Sequence, residues 1–379
     1  MPDIQDKTTT RRRFLTRIGQ GWVAANVAGT MFSQSTPLQV PIVPGRKMGW
    51  AIVGLGHLAI NQILPAFAKC EKSKVTAFVS GHPDKANMLA LRYGVNPKNI
   101  YNYQSYDSIR DNPDVDIIYI VLPNSMHAEY TIRGLQAGKH VLTEKPMANR
   151  PEDCQNMVDA GRKANRKLMV AYRCRYEPFN QMMIKMAREQ ELGPIKVIAS
   201  DHGFNIGDPN QWRLKKSMAG GGSLMDIGIY SLQATRYVTG EEPTEINAMM
   251  YTTPGDPRFK EVEETINFQL RFPSGVLATC TSSYGYSGQN RYRVVTTKGW
   301  FALEPATSYT GLRMYVHRGS TSEERVLPQM DHFALEMDHL SDCVMNNKEP
   351  LTPGEEGLRD LKIMMAIYEA ARSGKTVKL

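Results

Sequence analysis

Three residues combine types and spacing suited to moving protons. Asp226 and Tyr230 are four apart in GGGSLMDIGIY, so on a helix they share one face. A carboxylate and a phenol one turn apart, beside the glycine entry Gly220 to Gly222, suit proton transfer at a hydroxyl. A core tyrosine hydrogen-bonded to a helix aspartate would give the same spacing. The third residue is Lys145, in Thr143-Glu144-Lys145-Pro146, where the proline biases it away from helical geometry at the end of the short strand His140 to Thr143. A phenol with a reference pKa of about 10 is a poor base unless a cation favours phenolate, and Lys145 is the expected cation.

The elements that must hold these groups begin at Lys47. In KMGWAIVGLGHLA, Trp50 to Val53 reads as a strand, Gly54 and Gly56 break it, and Leu58 to Ala68 resumes at helical spacing. Strand, tight turn and helix form the arrangement in which glycines let the backbone approach a pyrophosphate at a helix N-terminus, with Ala59 as the small packing residue. Further strands are expected at Lys74 to Ser80, Asp116 to Leu122 and Leu168 to Tyr172, with helices at Asp84 to Tyr93, Met126 to Ala137 and Glu152 to Asn165. The nearly continuous apolar run DIIYIVL marks a parallel strand covered on both faces. Where a dinucleotide's adenosine ribose would lie, the chain reads Ser80-Gly81-His82-Pro83-Asp84-Lys85. A small hydroxyl and a lysine suit the 2′-phosphate of NADP better than the carboxylate that favours NAD; Asp84 and a solvated placement of Lys85 leave this open.

Beyond a linking helix, Arg175 to Gln190, the pattern changes. Alternating strands are expected at Ile195 to His202, Glu245 to Tyr251, Thr265 to Phe272, Val276 to Ser283, Tyr292 to Thr297 and Leu312 to His317, and the DxGxY helix at Ser223 to Val238. Helices at His332 to Met345 and Glu355 to Ser373 close the chain. The expected fold is an α/β nucleotide-binding, Rossmann-like domain (47–172) plus an α+β C-terminal domain (173–379) with a large open, predominantly antiparallel sheet. Its Met- and Tyr-rich face is a candidate dimer surface, and the C-terminal helices are expected to pack back on the first domain.

GLGHLA, VLPNSMH and above all TEKPMA, at these separations, resemble the Gfo/Idh/MocA family of NAD(P)-dependent sugar and cyclitol oxidoreductases. Many members of that family carry histidine at the Tyr230 position; GGGSLMDIGIY followed by RYVTGEEP is more similar to its glucose–fructose oxidoreductase branch. The resemblance implies an enzyme that oxidises a cyclic aldose at C1 to its lactone and passes the hydride to fructose or another carbonyl sugar through tightly held NADP. It implies Lys145, Asp226 and Tyr230 as catalytic, and Arg213 and Tyr309 as bordering the sugar. It also implies cofactor contacts from Gly54, Gly56, His57, Leu58, Ser80, Lys85, Leu122, Asn124, His127, Glu144 and Lys145, and a homo-oligomer, dimer or tetramer. An ordinary sugar dehydrogenase or reductase with exchangeable cofactor, or a noncatalytic nucleotide-binding regulator, are the alternatives.

Thr10 to Leu15, TRRRFL, followed by a weakly apolar run to Phe32, resembles a twin-arginine signal. This would send a folded, cofactor-loaded protein through the twin-arginine export machinery to the periplasm. The run is too short and polar for a permanent membrane span. Residues 33–46 read as an extended proline-bearing arm. The formal charge of +8 is uneven: residues 1–47 hold seven of the 46 Lys and Arg and two of the 38 Asp and Glu, leaving 39 against 36. A near-neutral body gives no charge argument for nucleic acid. Five scattered cysteines and eight histidines without ligand spacing suggest neither a disulfide framework nor a metal site.

Overall fold

Apolar runs with no polar face need cover on both sides, and in the first half of the chain they receive it. The structure, a computed structural model, describes residues 45–379. Strands β1 (Met48–Val53), β2 (Ser73–Val79), β3 (Ile100–Tyr101), β4 (Ile117–Ile120), β5 (His140–Glu144) and β6 (Leu168–Ala171) form a sheet in the order β3-β2-β1-β4-β5-β6. Every pairing is parallel, and β1 and β4 are buried throughout. Crossover helices Pro83–Tyr93 and Pro151–Ala164 each begin on a proline, whose missing N–H costs nothing in a first turn. On one face Val53, Ile120, Val141 and Val170 join Met157 and Leu135 in a core that runs on into the second half of the chain. On the other, Trp50, Ile52, Tyr119 and Leu142 pack with Phe333, Met337 and Leu340. The helix His332–Met345 thus returns to the first sheet, where Trp50 Nε1 donates to Ser341 Oγ at 3.1 Å.

The second sheet comprises β7 (Ile195–Gly203), β8 (Glu245–Tyr251), β9 (Thr265–Arg271), β10 (Leu277–Ser283), β11 (Gln289–Thr296), β12 (Gly299–Leu303), β13 (Met314–Arg318), β14 (Thr321–Arg325) and β15 (Val377–Lys378). Its order is β14-β13-β12-β11-β7-β10-β9-β8-β15. The central β7 and β10 pair parallel and the others antiparallel. Alternation puts Ile198, Phe268, Ala278 and Val294 in the core while Val197, Leu277, Met249 and Tyr251 stay exposed.

The expected strands were incomplete. β3, β12, β14 and β15 go beyond the sequence reading: β3 and β15 are two residues each, and the wholly polar edge strand TSEER has no apolar period to betray it. The linking helix is Pro178–Arg188, started later than expected by Glu177, whose carboxylate accepts from Phe179 N and Asn180 N. The helix after the glycine turn is irregular, with a wide π turn at Ala59–Ile63, α geometry at Leu64–Ala66 and a tighter turn at Phe67–Lys69. Pro65, lacking an N–H, sits at that change of pitch. Among the described residues no helix is long and apolar enough to cross a membrane. The twin-arginine stretch and residues 33–44 of the arm lie outside the described residues.

Candidate active site

The glycine turn at the end of β1 has the shape a dinucleotide requires. Gly54 has φ +95°, and a Cβ there would come within 2.3 Å of the Val121 carbonyl. At Gly56 nothing stands within 4 Å of such an atom, so the backbone is open to a ligand. Gly56 and His57 are exposed and Leu58 half-buried. From the first turn of the helix Pro83–Tyr93, Lys85 Nζ reaches back to the Leu55 carbonyl at 3.4 Å, on the same turn. Ser80 Oγ accepts from His82 N at 3.0 Å within its own loop, so its hydroxyl is partly committed. These residues fit a dinucleotide whose pyrophosphate meets open backbone and whose 2′ position lies near a cation.

The ends of β4 and β5 come together through residues that are largely enclosed. Leu122 is buried beside Gly54. Asn124 is buried too, with its amide donating to Ala219 O at 2.9 Å. His127 corrects its expected cofactor contact. It is fully buried, its ring nitrogens lie 2.9 Å from Pro146 O and 2.8 Å from Leu122 O, and burial lowers its pKa. It joins two strand-end loops and presents no free face. Glu144 is likewise turned inward: Tyr119 Oη donates to its Oε1 at 2.7 Å, and Lys145 N lies 3.2 Å from its Oε2. Its carboxyl is pushed up, burial outweighing Tyr119 and Lys145.

Lys145 leaves the tip of β5 and crosses to the second half of the molecule. Its Nζ donates to Asp226 O at 2.5 Å and Oδ1 at 3.1 Å, and stands 4.8 Å from the centroid of the Tyr230 ring. Asp226 Oδ2 accepts from Arg213 Nε at 3.2 Å and Tyr284 Oη at 2.9 Å. Burial alone would raise this carboxyl, but Lys145, Arg213 and the hydrogen bonds hold it well below the usual carboxylate range. Burial would lower Lys145; the acidic groups it faces, with Asp226 bonded to it directly, outweigh that and hold the ammonium above its ordinary range. The carboxylate is therefore a fixed anion between two cations.

The chain brings Asp226 and Tyr230 to one place through an irregular helix. Leu224–Gly228 is a wide π turn, which runs into regular helix at Ile229–Thr239; such turns recur at functional sites because they re-aim one side chain relative to the next. Its entry is held by Glu263, whose Oε2 accepts from Gly222 N at 2.8 Å and Oε1 from Leu224 N at 3.0 Å. A Cβ on Gly222 would come within 2.0 Å of Glu263 O, so only glycine permits this approach. Tyr368 from the last helix, Gly354–Ser373, donates to Glu263 at 2.9 Å.

Lys145 faces Tyr230 as expected and pulls its phenol down, but it does not act alone and does not overcome burial. The ammonium lies over the ring face and bonds Asp226, and a second cation, Arg173, sits 5.2 Å from the same ring centroid. Burial raises the Tyr230 phenol; Arg173 and then Lys145 pull it down without overcoming burial. The resting group is a phenol. Tyr309, half-exposed, meets the same guanidinium, 4.8 Å from its ring centroid. Arg213, Tyr309, Lys145, Asp226 and Tyr230 are thus one cluster, to which Arg173 and Tyr284 must be added. Both were missed, although Arg173 follows β6 directly, at the ligand edge that singled out Lys145.

Residues 48–172 match the model described as "Oxidoreductase family, NAD-binding Rossmann fold", and residues 180–302 the model of the GFO/IDH/MocA C-terminal domain. The crystal structure of an aldose-aldose oxidoreductase from Caulobacter crescentus, complexed with glycerol, is 51% identical, with a TM-score of 0.86 over 88% of this chain and 100% of that one. The chain belongs to the Gfo/Idh/MocA oxidoreductase family. Among the relatives of this Gfo/Idh/MocA protein, a D-xylose 1-dehydrogenase [NADP(+)] from Haloarcula marismortui is 29% identical, over 87% of this chain and 92% of its own length. A 3-ketoreductase from Actinomadura kijaniata, solved with NADP and TDP-benzene, is 25% identical with a TM-score of 0.76, covering 86% of this chain and 98% of that one. An NAD(P)-binding Rossmann domain therefore carries the glycine turn, and the family's C-terminal domain brings Asp226, Tyr230 and Arg213 to its edge.

Proposed function

We propose that the protein oxidises a cyclic aldose such as glucose at C1 to its lactone and hands the hydride to a second carbonyl sugar, through NADP that stays bound between the two steps. The observation that carries this reading is the Asp226 cluster. A carboxylate fixed by Lys145, Arg213 and Tyr284 stands one helical turn from Tyr230, whose ring faces the Lys145 ammonium and the Arg173 guanidinium. Likeness to the Caulobacter aldose-aldose oxidoreductase favours an aldose as the second sugar; the glucose–fructose motifs in the sequence favour fructose, and both fit the site chemistry.

When bound, the nicotinamide supplies the two-electron carrier that takes hydride from C1 and returns it to the carbonyl carbon of the acceptor. The chain's own residues supply position and proton transfer. Asp226, ionised and oriented by its two cations, accepts hydrogen bonds from donor hydroxyl groups, and Arg213 and Tyr309 border the sugar. Tyr230 enters this step as phenolate, its resting proton first lost to solvent; it takes the C1 hydroxyl proton as the C1–O bond becomes a carbonyl, then gives that proton to the acceptor oxygen in the return step and is phenolate again. Gly54, Gly56, His57 and Leu58 would hold the pyrophosphate, and Lys85 with Ser80 the 2′-phosphate. The twin-arginine stretch and the proline-bearing arm belong to the same proposal: export to the periplasm after cofactor loading, and cover over that cofactor in a homo-oligomer. A carrier that never leaves suits a compartment without a cofactor pool.

The test is retention. Freshly purified protein passed through gel filtration should release NADP(H) on denaturation, identified by mass spectrometry, and should change nicotinamide absorbance when an aldose is added before denaturation. An empty site would instead favour an ordinary sugar dehydrogenase or reductase with exchangeable cofactor, and NAD alone would overturn the assignment of NADP.

A further inference from the structure

Buried charges are normally paired, because removing an ion from water costs several kcal/mol that only an opposite charge or a full set of hydrogen bonds restores. Arg173 departs from this rule. It follows β6 at the ligand edge of the first sheet and is buried. Its Nη2 donates to Thr307 O at 2.6 Å and its Nη1 points at the His332 ring, 3.3 Å from Nδ1. The rest of the guanidinium faces aromatic rings, with centroids at 5.2 Å for Tyr230, 4.8 Å for Tyr309 and 5.7 Å for Phe333. No carboxylate among the described residues forms an ion pair with it. Three segments of chain, around Tyr230, Thr307–Tyr309 and His332–Phe333, therefore converge on a desolvated cation without giving it a counter-anion. A planar guanidinium stacked on aromatic faces tolerates this far better than an ammonium.

Only something that becomes negative in the site uses such a charge fully. The space behind Tyr230 is a cavity of about 20 Å³, room for one water, lined by Cys174, Asn180, Tyr237, Tyr292 and Thr307. We propose that Arg173 is the positioning residue that sets the proton affinity of Tyr230, its unpaired buried charge stabilising the phenolate that accepts the sugar proton. Lys145 is bound to Asp226 and is largely neutralised by it; Arg173 is not. This rests on the proton-transfer reading of Tyr230 given above.

The other titratable and charged groups around Tyr230 are Lys145, Asp226, Cys174, His202, Tyr309, the cavity phenols Tyr237 and Tyr292, both pushed well up by burial, and, across Arg173, His332, Glu144 and Glu336. His202, 6.0 Å from Tyr230 between ring centroids, is lowered by burial to about 3, and His332 likewise to about 2, so both stay neutral in the working range. Asp226 stays ionised, and burial pushes up Cys174, Glu144 and Glu336. Subtracting Tyr230→Phe isolates the phenol from all of them.

The experiment compares Arg173→Met, Arg173→Gln and Arg173→Lys in the full chain, after circular dichroism and cofactor retention establish folding. Two quantities are followed against pH: the phenolate absorbance difference relative to the matched Tyr230→Phe variant, and single-turnover rates in the oxidative and reductive directions. With the charge removed, the phenolate titration should move up by about one pH unit or more, the scale of a cation within a few ångströms. The rising limb of oxidation and the falling limb of reduction should both move up with it, and Arg173→Lys should stay nearer the native profile. Slower rates at every pH with unmoved limbs, or the same displacement in Arg173→Lys as in Arg173→Met, would overturn the proposal. If Tyr230→Phe alone reacted at the native rate, the proton-transfer reading would fall, and the phenolate titration would still decide for or against Arg173.

Discussion

Replacing Asp226 by asparagine keeps the shape of the side chain and removes its charge. Lys145 and Arg213 are then left facing each other across a neutral amide, with only Tyr284 as a third partner. Breaking a fully buried ion pair costs about 3–5 kcal/mol. Here the side chains of Lys145, Asp226 and Arg213 are 13%, 21% and 37% exposed, so water screens part of that loss and about 2 kcal/mol is expected. The sign with pH follows from the lowered carboxyl. Its stabilisation is complete above the unfolded value of about 4 and is lost as pH falls through the still lower folded value. Urea midpoints of native protein and Asp226→Asn should therefore differ at neutral pH and converge in strong acid. The rate of nicotinamide reduction in a single turnover should fall by about 10²–10⁴. Lys145 should also titrate lower, because burial opposes its charge and Asp226 no longer supports it. A rate within a few-fold of native, or a stability gap that ignores pH, would refute this account of the cluster.

Lys145→Ala and Tyr230→Phe should each slow the same single turnover by about 10²–10⁴, and the double variant should be little slower than either, since the groups act as a unit; multiplicative losses would separate their roles. Glu263→Gln should weaken three hydrogen bonds at the entry of the Asp226 helix, costing about 1.5–3 kcal/mol in urea unfolding and lowering the rate while nucleotide stays bound. Unchanged turnover in that variant would make the cap purely a matter of stability. Converting Arg11 and Arg12 to lysine should leave the protein on the cytoplasmic side in cell fractionation, and unchanged export would remove the twin-arginine reading.

Legibility in the sequence followed locality. Gly54 and Gly56 were readable because the turn that needs them spans six residues, and Lys145 because the proline beside it and the strand before it are its neighbours in the chain. Asp226 and Tyr230 were readable as a helical pair, although the wide turn at Leu224–Gly228 left no periodic trace. Arg173 and Tyr284 were not, because they reach the site from β6 and β10 by the docking of two sheets. His127 shows the converse. Its place in VLPNSMH is informative, but complete burial between two strand-end carbonyls is a tertiary fact. The same holds for Tyr230, where burial and two cations compete in a balance that spacing cannot express.

The most direct test of a retained carrier follows the hydride itself. Protein freed of exchangeable cofactor is given an aldose deuterated at C1, and after excess donor is removed, an unlabelled acceptor sugar, fructose and aldoses in parallel. Deuterium should appear on the carbonyl carbon of the acceptor with no nucleotide in solution, and the fastest acceptor names the second substrate. Label that reaches the acceptor only when external NADP is supplied would contradict the closed cycle and leave an ordinary dehydrogenase.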